Sequence, residues 1–249
     1  ADIICYLNGW KDPRIGKMFL KNKPEAENDE DCKYVGLRIG STVSKKSDFV
    51  ESYSNMAVSE SDPLLWMNAA EVSFLLSEYE LRFSKDESKA KEYYENGVKL
   101  SFEERDVTGD KDYLSNVSDT PELYIDPLGF YNAEKKMSEC KVAWETVSDE
   151  EGHLEQIITQ KWIAIFPLGN EAWAEYRRTG YPKLLPAVQN LGPDKLDLDR
   201  HARRLVYPVE EYTSNGVNLN EAISILESES SSGGGDAMST RLWWDVKPY

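Results

Sequence analysis

Residues Gln160 to Pro182 read QKWIAIFPLGNEAWAEYRRTGYP, and the fold turns on this stretch. Leu154, Ile157, Ile158, Trp162, Ile163 and Phe166 fall at helical spacings, so one apolar face runs through Leu154 to Phe166 and has to be buried. Pro167 and Gly169 interrupt that helix. Asn170 is placed to cap a second, short one, with Glu171 at its positive end and Arg177 and Arg178 near its negative end, which suits the macrodipole. Gly180 and Pro182 stop it. Trp173 and Tyr176 share a face of this second helix, and with Trp162 they read as structural aromatics.

Working outward, Pro63 stands in the favoured first-turn position after Asp62 and predicts a helix from Leu64 to Phe83. Leu64, Leu65, Met67, Ala70, Phe74, Leu75 and Leu81 cover most of its circumference, so it is expected to be central. Glu71 and Glu78 share a face of it. Two turns place them about 10 Å apart, and buried carboxylates of this kind are expected to have cationic partners. A second helix is predicted from Lys85-Asp86 to about Glu104, with Ala90, Tyr94, Gly97, Val98 and Phe102 on one side. The spacing of Ala90, Tyr94 and Gly97 matches the second helix of a tetratricopeptide repeat. These two helices should pair antiparallel, with Leu154 to Phe166 packed nearby.

Elsewhere the pattern is looser. Asn8-Gly9 signals a turn that Trp10 packs onto the core. Lys21 to Asp31 reads as a charged surface loop. Tyr34 to Gly40 suggests a short strand or extended segment, and Ser41 to Asp62 a polar loop. Asp106 to Asp126 reads as a long loop, whose Asp106, Asp110 and Asp112 lack the order of a calcium-binding loop. Pro127 to Tyr131 is a turn, and Ala133 to Trp144 a short amphipathic helix. Asn220 is expected to cap a helix from Glu221 to Leu226, and the Ser/Gly-rich run Glu227 to Asp236 is flexible by composition.

The net charge of −16 argues against partners that are nucleic acid or anionic lipid, which require clustered Lys and Arg. Cys5, Cys32 and Cys140 are too widely spaced for a disulfide framework, and with only His153 and His201 beside them no metal site or cofactor is expected. No run of about 18 apolar residues is present to cross a bilayer as a helix.

The order of these pieces resembles the SusD/RagB family of nutrient-binding outer-membrane lipoproteins. The Gln-Lys helix, Glu-Ala-Trp and Arg-Arg-Thr-Gly-Tyr-Pro carry the resemblance. It continues in Arg203-Arg204-Leu-Val-Tyr207-Pro208, Glu210, Asn215, Gly234-Gly235-Asp236 and Trp243-Trp244-Asp245. Upstream it appears in Asp12-Pro13-Arg14, Tyr34 to Gly40 and Ala70-Glu71. The resemblance implies a mainly α fold, a tetratricopeptide-like α/α superhelix with long irregular loops and few short strands. It also implies that residues 1–249 are the carboxy-terminal portion of a longer protein, whose membrane attachment is a lipid anchor outside this chain.

The function implied is that of a non-enzymatic protein at the outer-membrane cell surface, which captures an oligosaccharide or other oligomeric nutrient for a SusC-like TonB-dependent transporter. Aromatic residues make up 11% of the chain, and rings with an apolar face suit a sugar platform. Trp10, Tyr34, Tyr53 and Trp144 are the candidate ligand-binding residues. The alternatives are a glycoside hydrolase using two carboxylates and a helical-repeat scaffold for a peptide or protein.

Overall fold

The computed structural model describes residues 1–22, 32–192, 196–231 and 234–247. The charged stretch Lys21 to Asp31 therefore lies, from Lys23 on, outside the described residues. Two compact units are present: Ala1–Arg38 with Thr42–Leu185, and Ile39–Ser41 with Pro186–Tyr249. The first contains α1 (Asp2–Gly9), α2 (Ile15–Met18), α3 (Lys46–Ser52), α4 (Ala69–Tyr79), α5 (Glu87–Glu104), α6 (Asp110–Leu114), α7 (Glu150–Ala164) and α8 (Gly169–Thr179). The second contains α9 (Val209–Ser214) and α10 (Gly216–Glu229). The described residues include no strand, only an isolated antiparallel bridge between Phe19 and Met56.

The α4/α5 pair is antiparallel, as the periodicity predicts. Ser77 Oγ donates to the Ala90 carbonyl at 2.6 Å, and Ser73 Oγ, one turn earlier, donates to that of Tyr93 at 2.8 Å. One turn beyond Tyr93, Gly97 faces Phe74 so closely that an added Cβ would stand 2.7 Å from the ring. The small, aromatic, small spacing thus records a place where one helix accepts another's ring against its backbone.

The predicted helix Leu64 to Phe83 is shorter in the structure and carries a different cap. Asn68 begins it, accepting from Glu71 N at 2.8 Å and donating to the Ala164 carbonyl at 3.0 Å. Asp62 instead closes a local turn onto Ser59. Leu64, Trp66 and Met67 consequently lie outside α4 and are exposed. Nor is α4 the central helix, because Val72, Leu75, Leu76 and Tyr79 form an exposed face on it. That place belongs to α7, where Leu154, Ile157, Ile158 and Ile163 are buried together with His153, Gln156, Thr159, Gln160 and Lys161. A helix buried on nearly all sides needs partners for its polar groups: Gln156 donates to Lys141 O and Ala143 O, Gln160 to Tyr113 Oη, and Lys161 pairs with Glu71 and Glu175, while Thr159 Oγ1 has no hydrogen-bond partner among the described residues.

Two further segments depart from expectation. Ala133 to Trp144 is not a helix, since its carbonyls are bonded from elsewhere. Trp10 Nε1 donates to Cys140 O, Tyr94 Oη to Val142 O, and Gln156 Nε2 to Lys141 O and Ala143 O. Tyr34 to Arg38 forms no strand and Ile39-Gly40 is a turn, with Gly40 at φ +83°; Val35 N donates to the Ser54 hydroxyl and Ser54 N donates to Val35 O. Two caps also move, with α8 starting at Gly169 after Leu168 and α10 at Gly216, so that Asn170 and Asn220 lie inside helices. In the second unit Arg203 pairs with Asp245 at 2.7 Å, and Arg204 pairs with Asp236.

Candidate functional site

Three of the four aromatic candidates are core residues. Trp10, Tyr53 and Trp144 are 1%, 2% and 5% exposed. Burial corrects their assignment as ligand-contacting rings, because each has its polar handle or face already engaged. Trp10 donates to Cys140 O at 3.1 Å, and Trp144 stacks on His153 with centroids 3.9 Å apart. Tyr53 donates to Asp126 Oδ1 at 2.6 Å. Burial and that carboxylate acceptor together push the Tyr53 phenol well above its ordinary range.

Tyr34 is half-buried and lines a recess with Asn8, Glu122, Tyr124 and Ile125, near the carboxy-terminal part of α1. Asn8 Nδ2 donates to Tyr34 O at 2.9 Å, and Glu122 N donates to Cys5 O at 2.8 Å, which holds the recess walls on the helix. Its volume of about 20 Å³ has room for roughly one water and no sugar ring. Cys5 in its wall is no nucleophile, since burial raises the thiol to about 12.

Beside the recess wall at Tyr124 and Ile125, the chain turns through residues 126–132, and the construction of this turn stands out. Asp126 Oδ2 accepts from Phe130 N at 2.9 Å and Tyr131 N at 3.1 Å, while its other oxygen takes the Tyr53 hydroxyl. Asp126 N donates to Asn132 Oδ1 at 2.8 Å, and Gly129 N to Asp126 O at 2.9 Å. Arg38 Nη1 reaches the Tyr131 and Asn132 carbonyls at 3.2 and 3.4 Å. Gly129 has φ +78°, which a residue with a side chain adopts at a cost, so the bend depends on glycine there. The turn displays Phe130, 76% exposed, with the Tyr131 ring 6.3 Å away and inclined by 60°. The main chain that carries this exposed apolar ring is held by a buried carboxylate and an arginine, and the carboxylate by a tyrosine. Sequence reasoning found the turn but not the ring, because its scaffold spans residues far apart in the chain.

The acidic candidates are arranged differently. Glu78 accepts from Arg178 Nη1 and Nη2, both at 2.6 Å, and from Arg82 at 2.8 Å. Glu175 is paired with Arg178 at 2.7 Å and Lys161 at 3.4 Å, and Lys161 also stands 3.6 Å from Glu71. Burial alone would raise the Glu78 carboxyl, but Arg178 and Arg82 outweigh it and hold it below the ordinary range. Glu71 is raised by burial, which Lys161 offsets only in part. These carboxylates tie α4, α7 and α8 together, with Glu71 and Glu175 converging on Lys161. Among the described residues no group of His, Cys, Asp or Glu is gathered closely enough to hold a metal ion.

A family model described as "Susd and RagB outer membrane lipoprotein" matches residues 1–245. Comparison with curated proteins gives no match. Among solved structures, a SusD homologue from Bacteroides thetaiotaomicron is 46% identical with a TM-score of 0.89, over 100% of this chain and 52% of its own. One from Bacteroides uniformis is 47% identical with a TM-score of 0.87, over 99% and 49%. A chitin-binding SusD homologue from Flavobacterium johnsoniae is 37% identical with a TM-score of 0.85, over 100% and 49%. The chain thus spans about half the length of these relatives.

Proposed function

The chain belongs to the SusD/RagB family of outer membrane lipoproteins, and from that membership we propose that it binds a glycan at the cell surface and hands it to a SusC-like TonB-dependent transporter. The observation that carries the reading is the family match along residues 1–245, and the chitin-binding homologue supports a saccharide as the ligand. The Phe130 turn adds an exposed ring on a fixed backbone, a surface suited to saccharide. The buried acids support binding over hydrolysis, because Glu71, Glu78 and Glu175 are engaged with Lys161, Arg82 and Arg178. Isothermal titration of the purified chain with neutral oligosaccharides, beside a reducing-sugar assay, tests this. Saturable binding without sugar release is expected. Release that disappears in a folded Glu78→Gln variant would instead establish a hydrolase.

A further inference from the structure

We propose that the 126–132 turn is a sugar-stacking subsite: the Phe130 ring takes the apolar face of one uncharged pyranose unit, and the Tyr53–Asp126 pair fixes the backbone that carries the ring. This rests on the glycan-binding reading and adds a place and a chemical class to it.

An exposed phenylalanine on a slack loop is free to move with its backbone, whereas here the backbone that carries it is fixed. The N–H groups of Phe130 and Tyr131 are both committed to Asp126 Oδ2, and the carbonyls of Tyr131 and Asn132 to Arg38. Tyr53 fixes the carboxylate from below through its other oxygen. With the backbone already in place, contact with a ligand has only the side chain left to order, so less entropy is lost than on a slack loop. Tyr131, inclined at 60°, stands beside it as a side wall.

The chemistry of the turn selects the ligand. The Asp126 carboxylate is buried and satisfied by three donors, so it is not offered to a ligand beside the ring, and Arg38 directs Nη1 to the Tyr131 and Asn132 carbonyls. A pyranose whose axial C–H groups line one face matches such a surface. Uronates and sulfated sugars are disfavoured by the formal net charge of −16.

The test uses the purified chain with chitohexaose, cellohexaose, maltohexaose and hexagalacturonate. At least one of the neutral three should bind, and hexagalacturonate should not. Phe130→Ala should weaken that binding about tenfold, the scale of losing one stacked ring, with Tm unchanged. Phe130→Trp should retain affinity and, against the seven native tryptophans, give a blue-shifted difference emission on saturation. In that variant Tyr53→Phe should lower the reporter's anisotropy and reduce affinity; unchanged values would remove the positioning role of the pair. Wild-type affinity in Phe130→Ala would overturn the subsite and leave the glycan reading standing. Failure of the unmodified chain to bind any of the four would remove both.

Discussion

Arg178 grips Glu78 with both terminal nitrogens at 2.6 Å, and this pair has a pH signature. Glu78 titrates below its ordinary 4.5 in the folded chain. Its contribution is therefore complete above 4.5 and is lost as pH falls through the lower folded value. Glu71 has the opposite sign. Its carboxyl is raised above 4.5, so it favours the fold most when protonated and subtracts stability as pH rises through its folded value. Glu78→Gln is expected to cost about 2 kcal/mol at neutral pH, less than a fully buried pair would, because Arg178 is 38% exposed. It should also flatten the loss of stability on acidification. Urea denaturation of both proteins across the acid range measures this, and parallel pH curves would contradict the assignment. The need of these acids for cationic partners was legible in the sequence. Which cations serve was not, because Lys161 and Arg178 reach them from α7 and α8, with 100 residues between Arg178 and Glu78.

At the scale of elements, helices were legible where period and cap agree. Helix α5 starts after Lys85-Asp86 as expected, and Asp86 caps it, accepting from Lys89 N at 3.0 Å. They were misread where a nearer cap competes: Asn68 with Glu71 three residues on is itself a capping pattern, and it displaces Asp62-Pro63 as the start of α4. Ala133 to Trp144 was illegible because Trp10, just after α1, and side chains of α5 and α7 bond its carbonyls, and no local pattern encodes them. Gly97→Ala tests the α4/α5 seam. A methyl 2.7 Å from Phe74 should cost about 1–3 kcal/mol by overpacking, read as a lower urea midpoint with unchanged slope. The other side of α4 carries Val72, Leu75, Leu76 and Tyr79, continued by Phe83 stacked on Tyr79 at 5.7 Å. Contiguous apolar surface of this kind binds hydrophobic dyes. The folded chain should enhance ANS fluorescence, and Leu75→Ser with Phe83→Ser should reduce it; an unaltered signal would place the dye elsewhere.

Across the whole chain, apolar burial is uneven. The unit holding α1 to α8 buries Ile157, Ile158, Phe74, Tyr94 and Val98 almost completely. The unit holding α9 and α10 buries Leu219 and Ala187 among its apolar residues, and otherwise relies on Arg203 with Asp245 and Arg204 with Asp236. Ion pairs of this kind give geometric definition more than net stability. Hydrogen exchange should therefore show the slowest amides in α7 and much faster exchange in α10. Equal protection would mean that the polar clasps carry more than their chemistry suggests. Family and helical class were legible from motif order, which survives irregular spacing. The candidate site was legible only as a turn, since Tyr53 and Asp126 meet across 73 residues.

The Asp126 turn has one more consequence. The carboxylate and the arginine engage main-chain atoms of residues 130 to 132, the tyrosine holds the carboxylate, and the side chain at 130 is left out of the arrangement. The turn is a socket and the ring an interchangeable fitting. A different side chain can be mounted there without rebuilding what holds it, so ligand preference at this point can be retuned by a single codon while the fold stays as it is.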